Sequence, residues 1–216
     1  MSLWNAWPLA LCSTAAFAQA PAWFELKPDL RAALAAKGDA KRGAGVFELC
    51  EACHRKDGAG RAKGNFPALA GQHASVLMKQ LADIRAGRRF NPVMQAVIDD
   101  PSITAQDVAD VAAYAQSLPV RGEHDKGPGK ALAPGKRLYE RDCASCHGAA
   151  GQGQAAQFYP RVAAQHYPYL VREVQMIRDG QRRNSHPEMV AVVKRYSVAD
   201  IEAVADYMAQ FPVPGK

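Results

Sequence analysis

The feature that most constrains this chain is a short motif, Cys-x-x-Cys-His, that occurs twice. It stands at 50–54 as CEACH and again, 93 residues later, at 143–147 as CASCH. Two cysteines at this spacing, followed directly by a histidine, are typical of covalent haem c attachment. The sulfurs then add across the haem vinyl groups, and the histidine reaches the iron.

Zinc binding and dithiol exchange are the alternative interpretations of these cysteines. Zinc ribbons place their CxxC pairs about 15–20 residues apart, and thioredoxin-like motifs lie in a βαβ context that this chain does not show. The remaining cysteine, Cys12, precedes both motifs, so no pair is left for a structural disulfide. The sequence therefore predicts two haem c groups, attached through Cys50 and Cys53 and through Cys143 and Cys146.

The similarity extends well beyond the motifs and indicates an internal repeat. Both copies share a proline, a histidine, an arginine with a glycine, and an asparagine: Pro67 and Pro160, His73 and His166, Arg85 with Gly87 and Arg178 with Gly180, Asn91 and Asn184. A stretch between the copies, PVRGEHDKGPGKA, has the composition of a linker. We therefore expect two homologous domains, 38–118 and 132–212, joined by a linker over 119–131.

Each copy has the pattern of three helices, and no segment has a convincing strand pattern. One helix runs into the CxxCH and a second follows the shared histidine. The third begins with a capping sequence, Thr104 to Asp107 in the first copy and Ser197 to Asp200 in the second. Few large apolar residues are left to fill domains of this size, so we expect the haem to complete each core. The predicted fold class is all-α.

A second iron ligand must come from elsewhere in each domain. Among the methionines after Met1, Met94 and Met189 occupy the same place in both copies, each in a predicted loop after the second helix. Methionine partners histidine in c-type cytochromes. We therefore predict that His54 and Met94 ligate one iron, and His147 and Met189 the other. We interpret the unmatched methionines as core residues: Met78, Met176 and Met208.

Three histidines are rival ligands. His73 and His166 match between the copies, but each opens the second helix close to its CxxCH, from where the opposite haem face is hard to reach. We expect them to be surface or helix-start residues. His186 has no counterpart and is a spare candidate because it lies close to Met189.

Other matched residues bear on haem orientation. The carbonyls of Pro67 and Pro160 are candidates to accept a hydrogen bond from the ligating histidines and so to orient them. Four arginines precede the methionines at matched positions: Arg88, Arg89, Arg182 and Arg183. They either pair with haem propionates or form a solvated basic loop.

The N-terminus has the pattern of an export signal. Residues 3–17 are mostly apolar and uncharged and lead to an A-x-A cleavage sequence ending at Ala18, with a cut after Ala20 as the alternative. No lysine or arginine precedes the stretch, so a disordered or membrane-resting tail is the other interpretation. We predict a signal peptide over 1–18 and a location in the periplasm.

The charge pattern restricts the class of partner. The chain has 27 Lys and Arg against 21 Asp and Glu, a net charge of +6 that is spread along its length. It lacks the Lys/Arg block that is typical of nucleic-acid binding. A basic surface instead suits brief docking on an acidic redox partner.

Together, CEACH…NFPALAGQH…NPVM and CASCH…FYPRVAAQH…HPEM resemble the dihaem cytochrome c4 family, from about Gly38 to Phe211. The resemblance implies two class I cytochrome c domains, His/Met ligation at both irons, and a pseudo-twofold arrangement with the haem propionate edges towards one another. It also implies electron shuttling in the periplasm towards a membrane terminal oxidase. The sequence departs from the family pattern in its uncharged leader and at Ala163–Ala164, where the first copy has Ala70–Gly71; we expect a looser turn there.

We therefore expect an electron carrier rather than an enzyme. Its partners would be redox proteins, such as a membrane oxidase, a bc1-type complex or a dehydrogenase, with transient docking at a membrane complex. The main alternative is the electron-accepting cytochrome subunit of a periplasmic dehydrogenase. A dihaem peroxidase needs an iron without a second ligand, and both copies carry a methionine. A haem-binding sensor or assembly factor is a third class.

Overall fold

The computed structural model describes residues 26–63, 66–122 and 124–213. Over these residues the chain forms helices and turns, with three isolated antiparallel bridges and no extended strand. The all-α prediction is therefore confirmed. No helix in the described part of the chain is long and apolar enough to cross a membrane. The predicted signal peptide, 1–18, lies outside the described residues.

The helices group into two domains that follow the repeat. Domain 1 contains α1 (Pro28–Ala35), α2 (Ala40–His54), α3 (Ala74–Arg85), α4 (Pro92–Ile98) and α5 (Ala105–Ser117). Domain 2 contains α6 (Leu132–Asp142), α7 (Ala144–His147), α8 (Tyr167–Arg178), α9 (Pro187–Val193) and α10 (Val198–Ala209). A short 3-10 turn, Ala155–Gln157, precedes α8.

A close crossing of two helices holds each domain together: α2 packs on α5, and α6 packs on α10. Gly43 and Gly135 lie at the two crossing points. An added Cβ at these glycines would overlap the carbonyl oxygens of Asp110 and Ala203, respectively. Glycine is therefore needed at both positions, because it lets the helix backbones approach closely.

The last helix of each domain begins as the sequence predicts. The Thr104 hydroxyl accepts a hydrogen bond from the Asp107 N–H, and the Asp107 carboxylate accepts one from the Thr104 N–H. Ser197 and Asp200 form the same capping box at α10. These contacts satisfy N–H groups that the first turn of a helix leaves without a partner.

Three helices lie where the sequence predicted none. Met94 and Met189 are on the first turns of α4 and α9, so the predicted loop position of both methionines is wrong. Helices α4 and α9 each begin with a proline that follows a capping side chain, Asn91 and His186, respectively. Helix α1 precedes the predicted first domain and buries Leu30 against it.

The helix that carries the CxxCH motif is continuous in domain 1 but interrupted in domain 2. In domain 1, α2 continues through the motif to His54, whereas in domain 2 the helix is interrupted at Cys143. The segment from the crossing glycine to the first cysteine is one residue longer from Gly135 to Cys143 than from Gly43 to Cys50. The interruption absorbs the extra residue and keeps the second motif in place.

The predicted linker, 119–131, packs on domain 2. The Gly129 N–H donates to the buried carboxylate of Asp206 at 3.0 Å. His124 Nε2–H donates to the Ala209 carbonyl at 2.8 Å. The described part of this segment is therefore attached to the second domain by specific hydrogen bonds.

The domains face one another across a pseudo-twofold interface. The Gln72 side chain exchanges two hydrogen bonds with the backbone of Arg161, and the Gln165 side chain exchanges two with the backbone of Ala68. Gln72 and Gln165 are matched positions of the repeat, as are Ala68 and Arg161, so the contact is reciprocal. The pseudo-twofold arrangement implied by the resemblance is confirmed.

The turn at Ala164 keeps the geometry of its counterpart at Gly71. Gly71 has φ of 63° and Ala164 has φ of 59°, although a left-handed alanine costs about 1–2 kcal/mol. The Ala163 N–H still donates to the Gly151 carbonyl, as in the first copy. The first copy has two more backbone hydrogen bonds, from Gly71 N–H to the Ala115 carbonyl and from Gln72 N–H to the Leu69 carbonyl, and neither has a counterpart at the described residues of the second turn. The expected looser turn is therefore supported by the hydrogen bonding, although φ is unchanged.

Replacing Gly43 with alanine tests the helix crossing. G43A must separate α2 from α5, so we expect it to lower the free energy of unfolding by about 1–3 kcal/mol. G45A is the matched control, because an added Cβ at this exposed position of α2 meets nothing within 4 Å. It should stabilise the helix by about 0.5–1 kcal/mol. Urea unfolding measures both, and effects of the same sign would contradict the close crossing.

Candidate haem-binding site

A cavity of about 520 Å³ extends through both domains. Its wall is mostly apolar, and every residue predicted from the two motifs and the matched methionines lines it: Cys50, Cys53, His54, Met94, Cys143, Cys146, His147 and Met189. Thiols, imidazoles and thioethers converging on an apolar cavity fit the haem groups that the motifs imply. The assignment of individual ligands stays a prediction.

Each motif histidine is held by a proline carbonyl. His54 Nδ1–H donates to the Pro67 oxygen at 2.9 Å, and His147 Nδ1–H donates to the Pro160 oxygen at 2.9 Å. The predicted hydrogen bonds to the two proline carbonyls are confirmed. With Nδ1–H as the donor, Nε2 is the ring nitrogen left available to a metal.

Burial favours the neutral forms of four motif side chains, one cysteine and the histidine of each motif. It lowers the pKa of His54 and of His147, and a neutral imidazole is the form that binds a metal. Burial also raises the pKa of the Cys50 thiol to about 11 and that of the Cys143 thiol to about 12. A protonated thiol is less readily oxidised than a thiolate.

Three methionines line the cavity, Met94, Met189 and Met208, whereas Met78 and Met176 do not. Met94 and Met189 pack against the core of their own domain and line the cavity together with its motif histidine. Met78 and Met208 pack in those same cores, which confirms the core interpretation for both. Met176 is half-buried on α8.

His73 and His166 serve the domain interface. They directly precede α3 and α8, which confirms the helix-start interpretation. His166 is buried, whereas His73 is partly exposed. His73 Nε2–H donates to the Gln152 carbonyl and His166 Nε2–H to the Ala59 carbonyl, both at 2.8 Å across the interface. His166 Nδ1 also accepts from the Asp125 N–H, so both of its ring nitrogens are engaged away from an iron.

His186, the spare candidate for an iron ligand, is the capping residue directly before α9. Its Nδ1 accepts a hydrogen bond from the Glu188 N–H, and its ring packs edge-on against Tyr159 at 5.8 Å. It lines the cavity near Met189. The capping role accounts for one ring nitrogen and for the position of the residue at the helix start.

The arginines before the methionines divide between the interface and solvent. Arg89 and Arg182 are largely buried where the two domains meet, and both line the cavity. Arg88 donates two hydrogen bonds to Asp83. Arg183 is exposed. The solvated-loop interpretation is therefore wrong for Arg89 and Arg182.

The surface beside the cavity differs in charge between the domains. In domain 1 it carries exposed apolar side chains: Leu49, Phe90 and Val93. In domain 2 the matched positions are charged: Arg183 and Glu188 are exposed, whereas the Asp142 carboxylate is largely buried against Arg141 and Tyr196. A partner that approaches domain 1 therefore meets a less charged face than one that approaches domain 2.

Comparison with known proteins agrees with this site. A family model for cytochrome c matches two segments, 40–119 and 132–212. Cytochrome c4 of Azotobacter vinelandii is 34% identical over 190 residues, covering 80% of this chain and 89% of that protein. A thiosulfate dehydrogenase electron acceptor of Stutzerimonas stutzeri is 35% identical over 171 residues, covering 74% of this chain and 77% of that protein.

Among solved structures, reduced recombinant cytochrome c4 from Pseudomonas stutzeri aligns with a TM-score of 0.73 and 31% identity. The alignment covers 81% of this chain and 100% of that chain. The family implies covalently bound haem c, and the two matched segments agree with one haem in each domain. The predicted tandem cytochrome c fold is confirmed, and the chain belongs to the dihaem cytochrome c4 family of electron carriers.

Proposed function

We propose that this chain is a periplasmic dihaem c-type cytochrome that carries single electrons between respiratory redox partners, towards a terminal oxidase. One observation supports this most directly: each domain brings two cysteines, a carbonyl-anchored histidine and a matched methionine to one apolar cavity. The residues that would hold the haem groups form two matched sets: Cys50, Cys53, His54 and Met94; Cys143, Cys146, His147 and Met189.

When bound, each haem supplies an iron that changes between the ferric and ferrous states by one electron. The chain supplies the surroundings. The Pro67 and Pro160 carbonyls orient the histidines, and the thioethers of Met94 and Met189 would raise the reduction potential relative to a second nitrogen ligand. A histidine and a methionine held to each iron would leave no position open for oxygen or peroxide, which disfavours a peroxidase.

A carrier of this kind needs partners that bind quickly and weakly. The net charge of +6 suits an acidic docking surface. We propose a membrane oxidase, a bc1-type complex or a dehydrogenase as the class of partner, with transient docking at a membrane complex.

A second candidate function is that of electron-accepting partner of a periplasmic dehydrogenase. The similarity to a thiosulfate dehydrogenase electron acceptor favours it. Stopped-flow mixing of the ferric protein with thiosulfate and a purified thiosulfate dehydrogenase tests it. Reduction as fast as enzyme turnover would support a dedicated acceptor, whereas reduction only by a bc1-type complex would support the general carrier.

The first experiment is a visible absorption spectrum of the haem-loaded protein, recorded in the ferric and ferrous states. The proposal expects low-spin iron with a methionine-to-iron charge-transfer band that carbon monoxide and peroxide leave unchanged. A high-spin component that binds carbon monoxide in the unsubstituted protein would mean that one iron is open, and would favour an enzyme.

Substitution of the matched methionines tests the ligand assignment. M94L and M189L keep an apolar side chain of similar volume but remove the sulfur. We expect each to convert one of the two irons to a high-spin form that binds carbon monoxide, while the other stays low-spin. M78L and M176L are the matched controls and should keep both irons low-spin. An unchanged spectrum in M94L or M189L would exclude that residue as a ligand.

The location is tested by the mass of the protein recovered from the periplasmic fraction. Cleavage after Ala18 predicts a chain that begins at Gln19 and carries two haem groups. Recovery with the N-terminal segment intact and in the membrane fraction would instead support the membrane-resting tail.

A further inference from the structure

Four side chains form a closed hydrogen-bonded ring at the centre of the domain interface. Arg89 donates to Gln80 Oε1 through Nη1 and to Glu173 Oε2 through Nη2, both at 3.0 Å. Arg182 donates to Glu173 Oε2 at 2.9 Å and to Gln80 Oε1 at 3.2 Å. All four residues line the cavity. The ring therefore lies between the two domains and in contact with the space that holds the cofactors.

The ring has the symmetry of the repeat in its geometry but not in its charge. Arg89 and Arg182 are matched positions, and their backbones form an antiparallel bridge. Gln80 and Glu173 are also matched positions, on α3 and α8. Each guanidinium donates to both acceptors, but one acceptor is a neutral amide and the other is a carboxylate. A single charge thus distinguishes the two halves of the ring.

Glu173 remains ionised in this position. Burial by itself would raise the pKa of its carboxyl group, but Arg182 and Arg89 lower that pKa to about 2. Arg172 adds a further hydrogen bond at 2.7 Å. The carboxylate is therefore a fixed negative charge at neutral pH.

The other buried carboxylate of the interface has a different setting. Asp83 accepts from Lys79 at 2.5 Å, from Arg88, and from Asn184 of the other domain at 2.7 Å. It does not line the cavity, whereas Glu173 does. At the cavity wall three positions of domain 2 carry an acid where domain 1 is neutral: Asp142 opposite Leu49, Glu188 opposite Val93, and Glu173 opposite Gln80. Glu173 is the one of these that is hydrogen-bonded to the other domain, through Arg89.

We propose that Glu173 sets a difference between the reduction potentials of the two irons by lowering the potential of the domain 2 iron relative to that of domain 1. The inference rests on the proposed dihaem electron carrier. Helix α8, which carries Glu173, also supplies Leu170 and Val174 to the wall of the cavity in domain 2. A negative charge carried by α8 would favour the ferric over the ferrous state of an iron held in domain 2. Since Glu173 is buried, with 6% of the residue exposed, water screens this charge less than it would screen a surface carboxylate.

The repeat itself provides the decisive substitution. Q80E/E173Q moves the carboxylate to the matched position in domain 1 and keeps the net charge. Position 80 is suited to a carboxylate, because Gln80 Oε1 already accepts from Arg89, Arg182 and Asn184. Redox titration followed by absorption spectroscopy gives the two potentials. M94H and M189H identify the domain of each step, because a nitrogen ligand in place of the thioether lowers one potential.

We expect Q80E/E173Q to raise the potential of the domain 2 iron and to lower that of the domain 1 iron. E173Q alone, which is nearly isosteric, should raise the domain 2 potential more than the domain 1 potential, and it serves if the double variant does not fold. E202Q removes a charge of the same sign from an exposed position of α10 and should shift neither potential appreciably.

Two kinds of failure are distinguishable. If E173Q and Q80E/E173Q leave both potentials unchanged, in proteins that keep low-spin iron and two one-electron steps, the role of Glu173 is overturned. The proposed electron carrier would then still stand. A shift of both potentials by the same amount would also overturn the role of Glu173, because it would indicate a uniform effect of charge. The absence of two reversible one-electron steps in the unsubstituted protein would overturn the proposed function itself.

Discussion

Neither domain fills its own interior, and the rest of the structure follows from this constraint. The helices that cross at Gly43 and Gly135 hold each domain together, but the remaining helices surround a cavity instead of a closed core. In domain 1 the buried apolar residues form two small clusters. A domain of this size buries too little apolar surface to be very stable alone. A bound haem would complete the core, so the group that carries the chemistry would also be part of the fold.

The second copy closes the open side of the first. Reciprocal hydrogen bonds from Gln72 and Gln165 to the opposite backbone, and from His73 and His166 to opposite carbonyls, use the same residues twice. These side chains directly precede α3 and α8, the helices that form the cavity walls. Because a buried polar group is costly without a partner, the interface is specific to one arrangement, and that arrangement brings the two parts of the cavity together.

Features with a local cause were predictable from the sequence. The capping box at Thr104 depends on four consecutive residues, and the contact between His54 and Pro67 depends on a rigid residue at a constant distance from the motif. Contacts between the copies were not predictable in this way. The matching of His73 and His166 indicated that both positions matter, but only the tertiary structure shows their partners in the other domain. The helices that carry the methionines were missed because seven residues span too few turns to display a period.

The repeat gives two sites of the same geometry, and differences between the copies then make their electrostatics unequal. Several matched positions at the cavity wall or the interface differ in charge: Leu49 and Asp142, Val93 and Glu188, Gln80 and Glu173, Asp83 and Met176. None of them is a predicted iron ligand, so these substitutions alter the surroundings of an iron without changing its coordination. Since a partly buried charge is weakly screened, differences of this kind would give the two irons unequal potentials. Glu173 is the member of this set that the interface holds between two arginines of different domains.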